Sequence, residues 1–307
     1  MTTTRRTGLL LALATAGISG VAVFLNGNGV RAYGDASAYT TAKNLVAALV
    51  LIAVVTAAGP RRRLTRPRGA RQWTALAVIG VVGGSVPFLL FFEGLARASS
   101  AQSAFLHKTL VIWVAVLAVP LLGERLSAAH GVAIVLLVVG QVGLVGGVTA
   151  AIGSGELMIL AATLMWSVEV VLAKRLLGDL SSWTLGVVRM GVGSVVLLGW
   201  AAVRGGLAAV VPANATQWAW VLLTGLILAG YVATWFAALA RAQAVDVTAV
   251  LVLAALVTAG LQGLVDGVAP GPRLVWLGLL AAGGAVLCAH LWRSRTLTPG
   301  SPLGQPA

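Results

Sequence analysis

The sequence contains few charged residues and almost no cysteine. Only 9% of its 307 residues are charged, whereas about 25% is usual for a soluble domain. With 59% hydrophobic residues, the chain cannot cover a water-facing surface with charge, and the same balance excludes disorder. The single Cys288 excludes an intramolecular disulfide and a cysteine metal site, and the three histidines are too scattered for a metal cluster. These shortages argue against a soluble enzyme, and we expect neither a metal nor a cofactor.

Basic residues outnumber acidic ones, which gives the chain a formal net charge of +13. A charge of this size would suit nucleic-acid binding if it formed one patch. Instead, the lysines and arginines occur in short stretches between long apolar runs, a pattern typical of membrane topology. We therefore expect a lipid bilayer and no nucleic acid among the partners of this chain.

Ten apolar runs are long enough to cross a membrane, since a helix needs about 20 mostly apolar residues to do so. We interpret the first of them as a transmembrane helix and not as a signal peptide. The short polar stretch 293–307 is predicted to be a disordered cytoplasmic tail. The sequence thus predicts an all-α membrane protein with spans near 8–26, 38–58, 73–94, 99–120, 128–148, 154–174, 183–203, 217–239, 244–265 and 273–292.

The placement of lysine and arginine predicts the orientation, because these residues are enriched in cytoplasmic loops. With the N-terminus inside, four basic residues face outward, namely Arg31, Arg97, Arg204 and Arg273. Fourteen face inward: Arg5, Arg6, Arg61, Arg62, Arg63, Arg66, Arg68, Arg71, Arg125, Lys174, Arg175, Arg241, Arg293 and Arg295. This bias predicts a protein of the cytoplasmic membrane with both termini in the cytoplasm.

The two halves of the chain repeat one pattern. Residues 95–98 (Leu-Ala-Arg-Ala) recur at 239–242, and Lys43 near the start of the second span corresponds to Arg189 in the seventh. We therefore divide the chain into repeats at 1–148 and 149–292, each with five helices. Because five is odd, the second repeat enters the membrane from the opposite side. Inverted repeats are typical of secondary transporters with a site near the bilayer midplane.

Several short motifs make the sequence similar to the EamA type of the drug/metabolite transporter superfamily. They are residues 121–126 (Leu-Leu-Gly-Glu-Arg-Leu), residues 162–167 (Ala-Thr-Leu-Met-Trp-Ser), Lys174-Arg175 and Arg189-Met190. The second repeat has Val265-Asp266-Gly267 in place of the Gly-Glu-x-Leu signature. Members often carry a proline midway along helix four, where this chain has His107-Lys108-Thr109.

The resemblance implies a fold and an activity. Helices five and ten would be peripheral, and the other eight would surround a central cavity. Members of the superfamily move amino acids, other metabolites, drugs or cations, often outward, by proton coupling or exchange.

Inserting an ionisable residue into the middle of a membrane-spanning helix costs about 2.5–3.5 kcal/mol of free energy. Each such residue therefore suggests a functional site. Glu169 and Arg189 each lie ten residues from the turn near Asp179 and therefore share one depth. We predict that they form an ion pair. Glu93 and Lys108 flank the preceding outer turn at depths that differ by about 6 Å, so we predict a second pair. Both pairs are either neutralised structural contacts or parts of a binding site.

One cation in the spans has no counter-charge, and Lys108 is the deepest. We predict that Lys108 binds a carboxylate or phosphate of the substrate. Its neighbour His107 could carry a proton, although residues 100° apart on a helix cannot face the cavity equally. Lys43 either snorkels to the outer interface or lines the cavity. Trp113, Trp166 and Trp235 are candidates for the cavity wall, or else they pack against lipid and core.

Together these features predict a secondary transporter of a small metabolite or drug that works by alternating access of its two halves, with export as the predicted direction. A non-transporting membrane scaffold is the alternative. No paired carboxylates or nucleophile motif indicates an enzyme. The glycine-rich helices five and ten could pack in a homodimer or against lipid.

Overall fold

The computed structural model describes residues 3–59, 64–98, 100–144, 146, 153–267, 269 and 271–293. Within these residues the chain is built of helices. They are α1 (Thr3–Tyr33), α2 (Ala36–Ala58), α3 (Gly69–Gly84), α4 (Val86–Leu95), α5 (Ser100–Lys108), α6 (Leu110–Leu122), α7 (Ala128–Leu144), α8 (Ser154–Leu176), α9 (Ser182–Val203), α10 (Leu207–Val210), α11 (Ala215–Leu239), α12 (Ala244–Leu251), α13 (Ala254–Val265) and α14 (Arg273–Arg293).

Ten helical segments correspond to the ten predicted spans. In the described part of the chain, nine segments are long and apolar enough to cross a membrane, and α7 is a shorter tenth. Spans three, four and nine are each divided into two helices, α3–α4, α5–α6 and α12–α13. Helix α1 continues beyond the predicted end at residue 26 to Tyr33, because no proline interrupts it before Gly34, whose φ is +78°. The predicted tail, apart from residue 293, lies outside the described residues, as do Arg61–Arg63.

Polar residues at the loops begin several helices. Asp35 accepts a hydrogen bond from the backbone of Ala38 at the start of α2, and Ser181 caps α9 in the same way. Asn214 caps α11. These side chains satisfy N–H groups that have no partner inside the helix, and they fix where three of the spans begin.

The two ends of the bundle are distinguished by contacts between distant segments. At one end, the guanidinium carbon of Arg6 lies 4.7 Å from the ring centroid of Trp292, so both ends of the described chain meet there. We call this end the terminal side. At the opposite end, which we call the far side, the Tyr33 hydroxyl donates to the carbonyl of Val210 at 2.6 Å.

The repeat is visible in the position of a helix interruption. The fourth span of the first repeat is interrupted at Thr109, and the corresponding ninth span is interrupted at Val252–Leu253. At the first interruption, the Thr109 hydroxyl donates to the carbonyl of Leu106 at 2.6 Å. A hydroxyl that bonds back to the preceding turn is one known cause of helix distortion, so no proline is needed here. Two repeats of five spans each make the second inverted relative to the first.

Helices α7 and α14, the fifth and tenth spans, pack against each other at the edge of the bundle. Glycines make this contact close, since a Cβ on Gly143 would overlap Trp276 and one on Gly140 would meet Leu280 at 2.9 Å. A Cβ on Gly283 would meet the carbonyl of Ala133 at 3.0 Å. These three glycines therefore serve packing within one chain. The homodimer predicted from the glycine-rich helices five and ten stays a prediction, and these three glycines do not support it.

Candidate functional site

A cavity of about 170 Å³ lies in the far-side half of the bundle. Side chains from spans one to four and six to nine line it, and α7 and α14 contribute none. The resemblance implied this arrangement of eight central and two peripheral helices. The lining residues are Ser19, Ala22, Val23, Asn26, Lys43, Phe88, Phe91, Phe92, His107, Leu110, Trp166, Glu169, Val170, Arg189, Thr224, Leu228, Tyr231, Trp235 and Leu251.

Lys43 points into this central cavity and does not reach toward the interface. It is 3% exposed, and its Nζ donates to Asn26 Oδ1 at 3.2 Å. The ammonium also lies 4.9 Å from the ring centroid of Phe92, within cation–π range. Among the described residues, no carboxylate lies within ion-pair distance of Lys43. Of the two interpretations of Lys43, snorkelling is therefore wrong, and Asn26, which we had not included, belongs to the cavity.

Glu169 and Arg189 form the predicted ion pair on the cavity wall. Arg189 Nε donates to Glu169 Oε1 at 2.5 Å, and Nη2 donates to Oε2 at 3.3 Å. Both residues are buried, at 2% and 4% exposure. The fork-to-fork geometry is the strong form of this contact. Space for the carboxylate depends on Gly83, because a Cβ there would overlap the Glu169 carboxyl group.

The indole of Trp166 is hydrogen-bonded to the backbone carbonyl of Gly83, which has no helical donor because of Pro87. Pro87 has no N–H to donate to the carbonyl of Gly83 four residues earlier. Trp166 Nε1 donates to that carbonyl instead, at 3.2 Å. Span three is interrupted next to it at Ser85, whose hydroxyl is 3.1 Å from the carbonyl of Val81. The proline therefore leaves the carbonyl of Gly83 available to position a cavity tryptophan.

Aromatic rings cover much of the cavity wall. The ring centroid of Trp166 lies 5.4 Å from Phe88, 5.7 Å from Phe91 and 5.0 Å from His107. His107 thus faces the cavity through its ring. Its Nδ1 has no hydrogen-bond partner within the part of the chain that the structure describes.

A second aromatic pair lies on α11. The ring of Trp235 stacks on that of Tyr231 at 5.9 Å with an interplanar angle of 11°. We did not select Tyr231 from the sequence, although its spacing of four from Trp235 places both on one helix face. The same spacing signal, at intervals of three and four, was present in Phe88, Phe91 and Phe92.

Lys108 does not line the central cavity, and its predicted pairing with Glu93 is wrong. Lys108 lies one residue after His107 and lines a lateral cavity of about 690 Å³ with Gln141, between spans one, four, five, nine and ten. Glu93 forms an ion pair with Arg97 at 3.1 Å, with 44% of its side chain exposed. Matching depths were not enough, because the two side chains point in different directions around their helices.

Trp113 also lies outside the central cavity lining. Its Nε1 donates to Thr109 Oγ1 at 3.1 Å, one turn earlier at the interruption of span four. The prediction that it shares a cavity with Lys108 is not supported, since it lines neither the central nor the lateral cavity.

Two charged side chains, one buried and one half-buried, hold a turn on the terminal side beneath the cavity. Glu124, 7% exposed, accepts backbone hydrogen bonds from Ala244 at 2.6 Å and Val245 at 3.1 Å, and so caps α12. Lys174 Nζ donates to the carbonyls of Leu239 and Ala242, each at 2.6 Å. The turn between α11 and α12 is thus held from both ends, by side chains of the two different repeats.

Replacing Gly83 by alanine should displace Glu169 from Arg189. We expect a loss of about 1–3 kcal/mol in the free energy of unfolding, the usual cost of overpacking. The matched control is Gly191→Ala on α9, where a Cβ would meet nothing within 4 Å; we expect it to be neutral or slightly stabilising. Unfolding in mixed micelles measures both. Equal stability of the two variants would contradict the prediction.

Comparison with known proteins identifies the family. The chain matches the EamA-like transporter family over residues 6–146 and again over 153–289. No curated protein matches it. One solved structure, described only as a crystal structure of a protein, aligns with a TM-score of 0.74 at 17% identity, covering 92% of this chain and 98% of its own. That similarity concerns the fold. Because the family match extends over both repeats, the chain is a multi-pass membrane protein that belongs to the EamA-like transporter family.

Proposed function

We propose that the chain is a secondary transporter that moves a small metabolite or drug across the cytoplasmic membrane by alternating access of its two repeats. Family membership supports transport in general. Export, and coupling to protons or to exchange, are taken from the family resemblance. We further propose that the substrate carries an anionic group together with an apolar or aromatic part.

The charge balance of the central cavity supports an anionic substrate. Arg189 is neutralised by Glu169, while Lys43 has no carboxylate partner among the described residues. A buried ammonium is costly unless an anion accompanies it. A carboxylate or phosphate at Lys43 would supply this anion, and the rings of Phe88, Phe91 and Trp166 would contact the rest of the molecule. The anion site that we predicted at Lys108 is thus proposed at Lys43.

The orientation follows from the basic residues. We propose that the terminal side faces the cytoplasm, since the loops on that side carry most of the arginines and lysines. The central cavity then lies toward the outside, and Glu124 and Lys174 close the cytoplasmic side.

A thermal-shift screen of the purified protein tests the substrate class. The panel contains carboxylates, phosphate esters, amino acids and organic cations, and it is run on the wild type and on Lys43→Met. We expect an anionic compound to stabilise the wild type and to lose about 1.5–3 kcal/mol of binding in the variant, the value of a hydrogen bond to a charged group. This corresponds to roughly a tenfold to hundredfold weaker Kd.

Lys108→Met is the matched control, because it removes the same type of side chain from a span but outside the central cavity. It should bind the anionic compound as the wild type does. Stabilisation by cations that survives Lys43→Met and is lost in Glu169→Gln would contradict an anionic substrate. Binding that is lost in Lys108→Met and retained in Lys43→Met would place the site in the lateral cavity instead.

A further inference from the structure

A second group of polar side chains lies on the terminal side, outside the central cavity. His130 Nε2 and Asp246 Oδ1 are 2.8 Å apart, and the two residues are 3% and 2% exposed. His130 lies in the first turn of α7 in the first repeat, and Asp246 lies in the first turn of α12 in the second. This contact therefore joins the two halves that alternating access must separate.

The hydrogen bonds around His130 determine which ring nitrogen carries its proton. The backbone N–H of Ser127 donates to His130 Nδ1 at 3.1 Å, so Nδ1 is an acceptor. In the neutral ring the proton is then on Nε2, which donates to Asp246. Ser127 Oγ is 2.7 Å from the same Nδ1 and must donate to it as well.

The chain of bonds continues to His290 on α14. Its Nε2 lies 3.1 Å from Ser127 Oγ. Because the hydroxyl already donates its one hydrogen to His130, it accepts from His290. Every donor from His290 through Ser127 and His130 thus points toward Asp246, which is the alignment that proton transfer along hydrogen bonds requires.

One end of this chain lies near the surface and the other is buried. His290 lines an open cavity of about 500 Å³ with Val286, Ala289 and Arg293 in the last turns of α14. Asp246 instead lines a cavity of only about 10 Å³ with apolar side chains of α1, Leu9 and Ala12. The four residues therefore connect the terminal surface to a carboxylate that solvent does not reach directly.

Other charged groups surround the acceptor. Lys174 on α8 interacts electrostatically with both Asp246 and Glu124. On α1, the guanidinium of Arg6 stacks on Trp292, and in the turn after α11 the exposed Arg241 donates to the carbonyl of Ala237 on that helix. Further charged groups on this side are Arg125 in the loop before α7, Arg293 on α14 and Arg175 on α8, whose guanidinium donates to the carbonyl of Leu121. When Asp246 gains a proton, Lys174 therefore loses one of the two carboxylate charges that act on it.

We propose that His290, Ser127 and His130 form a proton relay that delivers a proton from the terminal side to Asp246. Protonated His290 gives the proton on Nε2 to Ser127 Oγ, Ser127 passes its own hydroxyl proton to His130 Nδ1, and His130 passes the proton on Nε2 to Asp246 Oδ1. A hydronium ion at the terminal surface restores the proton of His290 and becomes water. The sum is one proton moved from water to the Asp246 carboxylate, with no bond to a heavy atom broken.

Protonation of Asp246 releases α12. The neutral carboxyl group loses its attraction to Lys174 and its favourable position at the positive end of α12, and the charge-assisted bond to His130 is lost. The turn between α11 and α12 is then held less firmly, and the terminal side opens. This inference rests on the proposed alternating-access function, and the site is the place where a coupling proton would act.

A fluorescence experiment without any substrate tests the relay. In a Cys288→Ser background, Ala242→Cys places an environment-sensitive maleimide dye on the turn that Lys174 holds, where Ala242 is 8% exposed. The same dye on Leu64→Cys, 51% exposed on the terminal side, corrects for the response of the dye to pH. A stopped-flow drop in pH through the range where histidine titrates should produce a signal from residue 242 that residue 64 does not show.

The variants separate a relay from a purely structural contact. In Asp246→Asn, the dye at residue 242 should show at every pH the fluorescence that it shows in the wild type at low pH. Ser127→Ala and His290→Ala should reach the same final signal as the wild type but at least tenfold more slowly, and imidazole in the buffer should restore the rate of His290→Ala. Wild-type rates in both alanine variants would overturn the relay, and a wild-type pH response in Asp246→Asn would overturn the role of Asp246.

A second measurement does not depend on whether the terminal side opens. With three histidines in the chain, the ring signals of ¹⁵N-histidine can be assigned from single substitutions. We expect His130 to carry its proton on Nε2 near neutral pH, and a proton on Nδ1 would overturn the proposed direction. Since neither measurement uses a ligand, failure of the substrate screen and failure of the relay are separate results.

Discussion

Replacing Arg189 by glutamine is expected to cost about 3–5 kcal/mol in the free energy of unfolding, the largest loss of any single change considered. The substitution removes one partner of a buried ion pair and leaves the Glu169 carboxylate uncompensated. Both side chains are at most 4% exposed, so water cannot take the place of the guanidinium. Unfolding in mixed micelles, followed by circular dichroism, measures the loss.

The chain provides a matched control for this prediction. Arg97 and Glu93 form another arginine–glutamate pair, with side chains 50% and 44% exposed. Arg97→Gln should cost only about 0–1 kcal/mol, as exposed pairs do. The double variant Glu169→Gln/Arg189→Gln should recover part of the stability lost in Arg189→Gln, because no buried charge remains unpaired. If Arg189→Gln proves as stable as Arg97→Gln, the ion pair is not buried as described.

Replacing Glu124 by alanine should open the terminal side. The substitution leaves the N–H groups of Ala244 and Val245 without their acceptors, and each buried group left unpaired costs about 1–3 kcal/mol. It also removes a carboxylate that interacts with Lys174. We expect maleimide labelling of Ala242→Cys, in the Cys288→Ser background, to become at least tenfold faster.

Glu156→Ala is the control for this second prediction. Its carboxylate also accepts a backbone hydrogen bond at a helix start, from Gly153 at 3.0 Å, but in an exposed position at the beginning of α8. Labelling of residue 242 should not change in this variant. Glu124→Gln retains a side-chain oxygen as an acceptor and should fall between the wild type and Glu124→Ala. Unchanged labelling in Glu124→Ala would show that this cap does not keep the side closed.

Depth within the membrane could be predicted from the sequence, but direction around a helix could not. Counting from the turn near Asp179 placed Glu169 and Arg189 at one level, and the structure shows them paired. The same counting paired Glu93 with Lys108, and there it was wrong. The 100° step between His107 and Lys108 correctly indicated that only one would face the cavity, although we favoured the wrong one.

The terminal-side polar group was beyond sequence reasoning for a different reason. His130, Asp246 and His290 lie near the ends of three helices that are distant in the chain, and each looks like an ordinary interfacial residue when taken alone. Glu124 was noticed only as part of a family motif. Its role as the cap of α12 depends on a contact with residues 120 positions away, which requires the packing of both repeats to be known.

The close approach of α3 to α9 has a mechanical consequence. Gly84 and Gly193 bring the two backbones together so closely that a Cβ on either would overlap the other helix. Close-packed contacts of this kind are not continuously deformable, since any sliding produces either overlap or a void. These two helices belong to different repeats, so along this seam the halves behave as one stiff body. Any rearrangement must then pivot about the seam, with the largest displacement falling on parts far from it, such as the turn between α11 and α12 that Glu124 and Lys174 hold by hydrogen bonds.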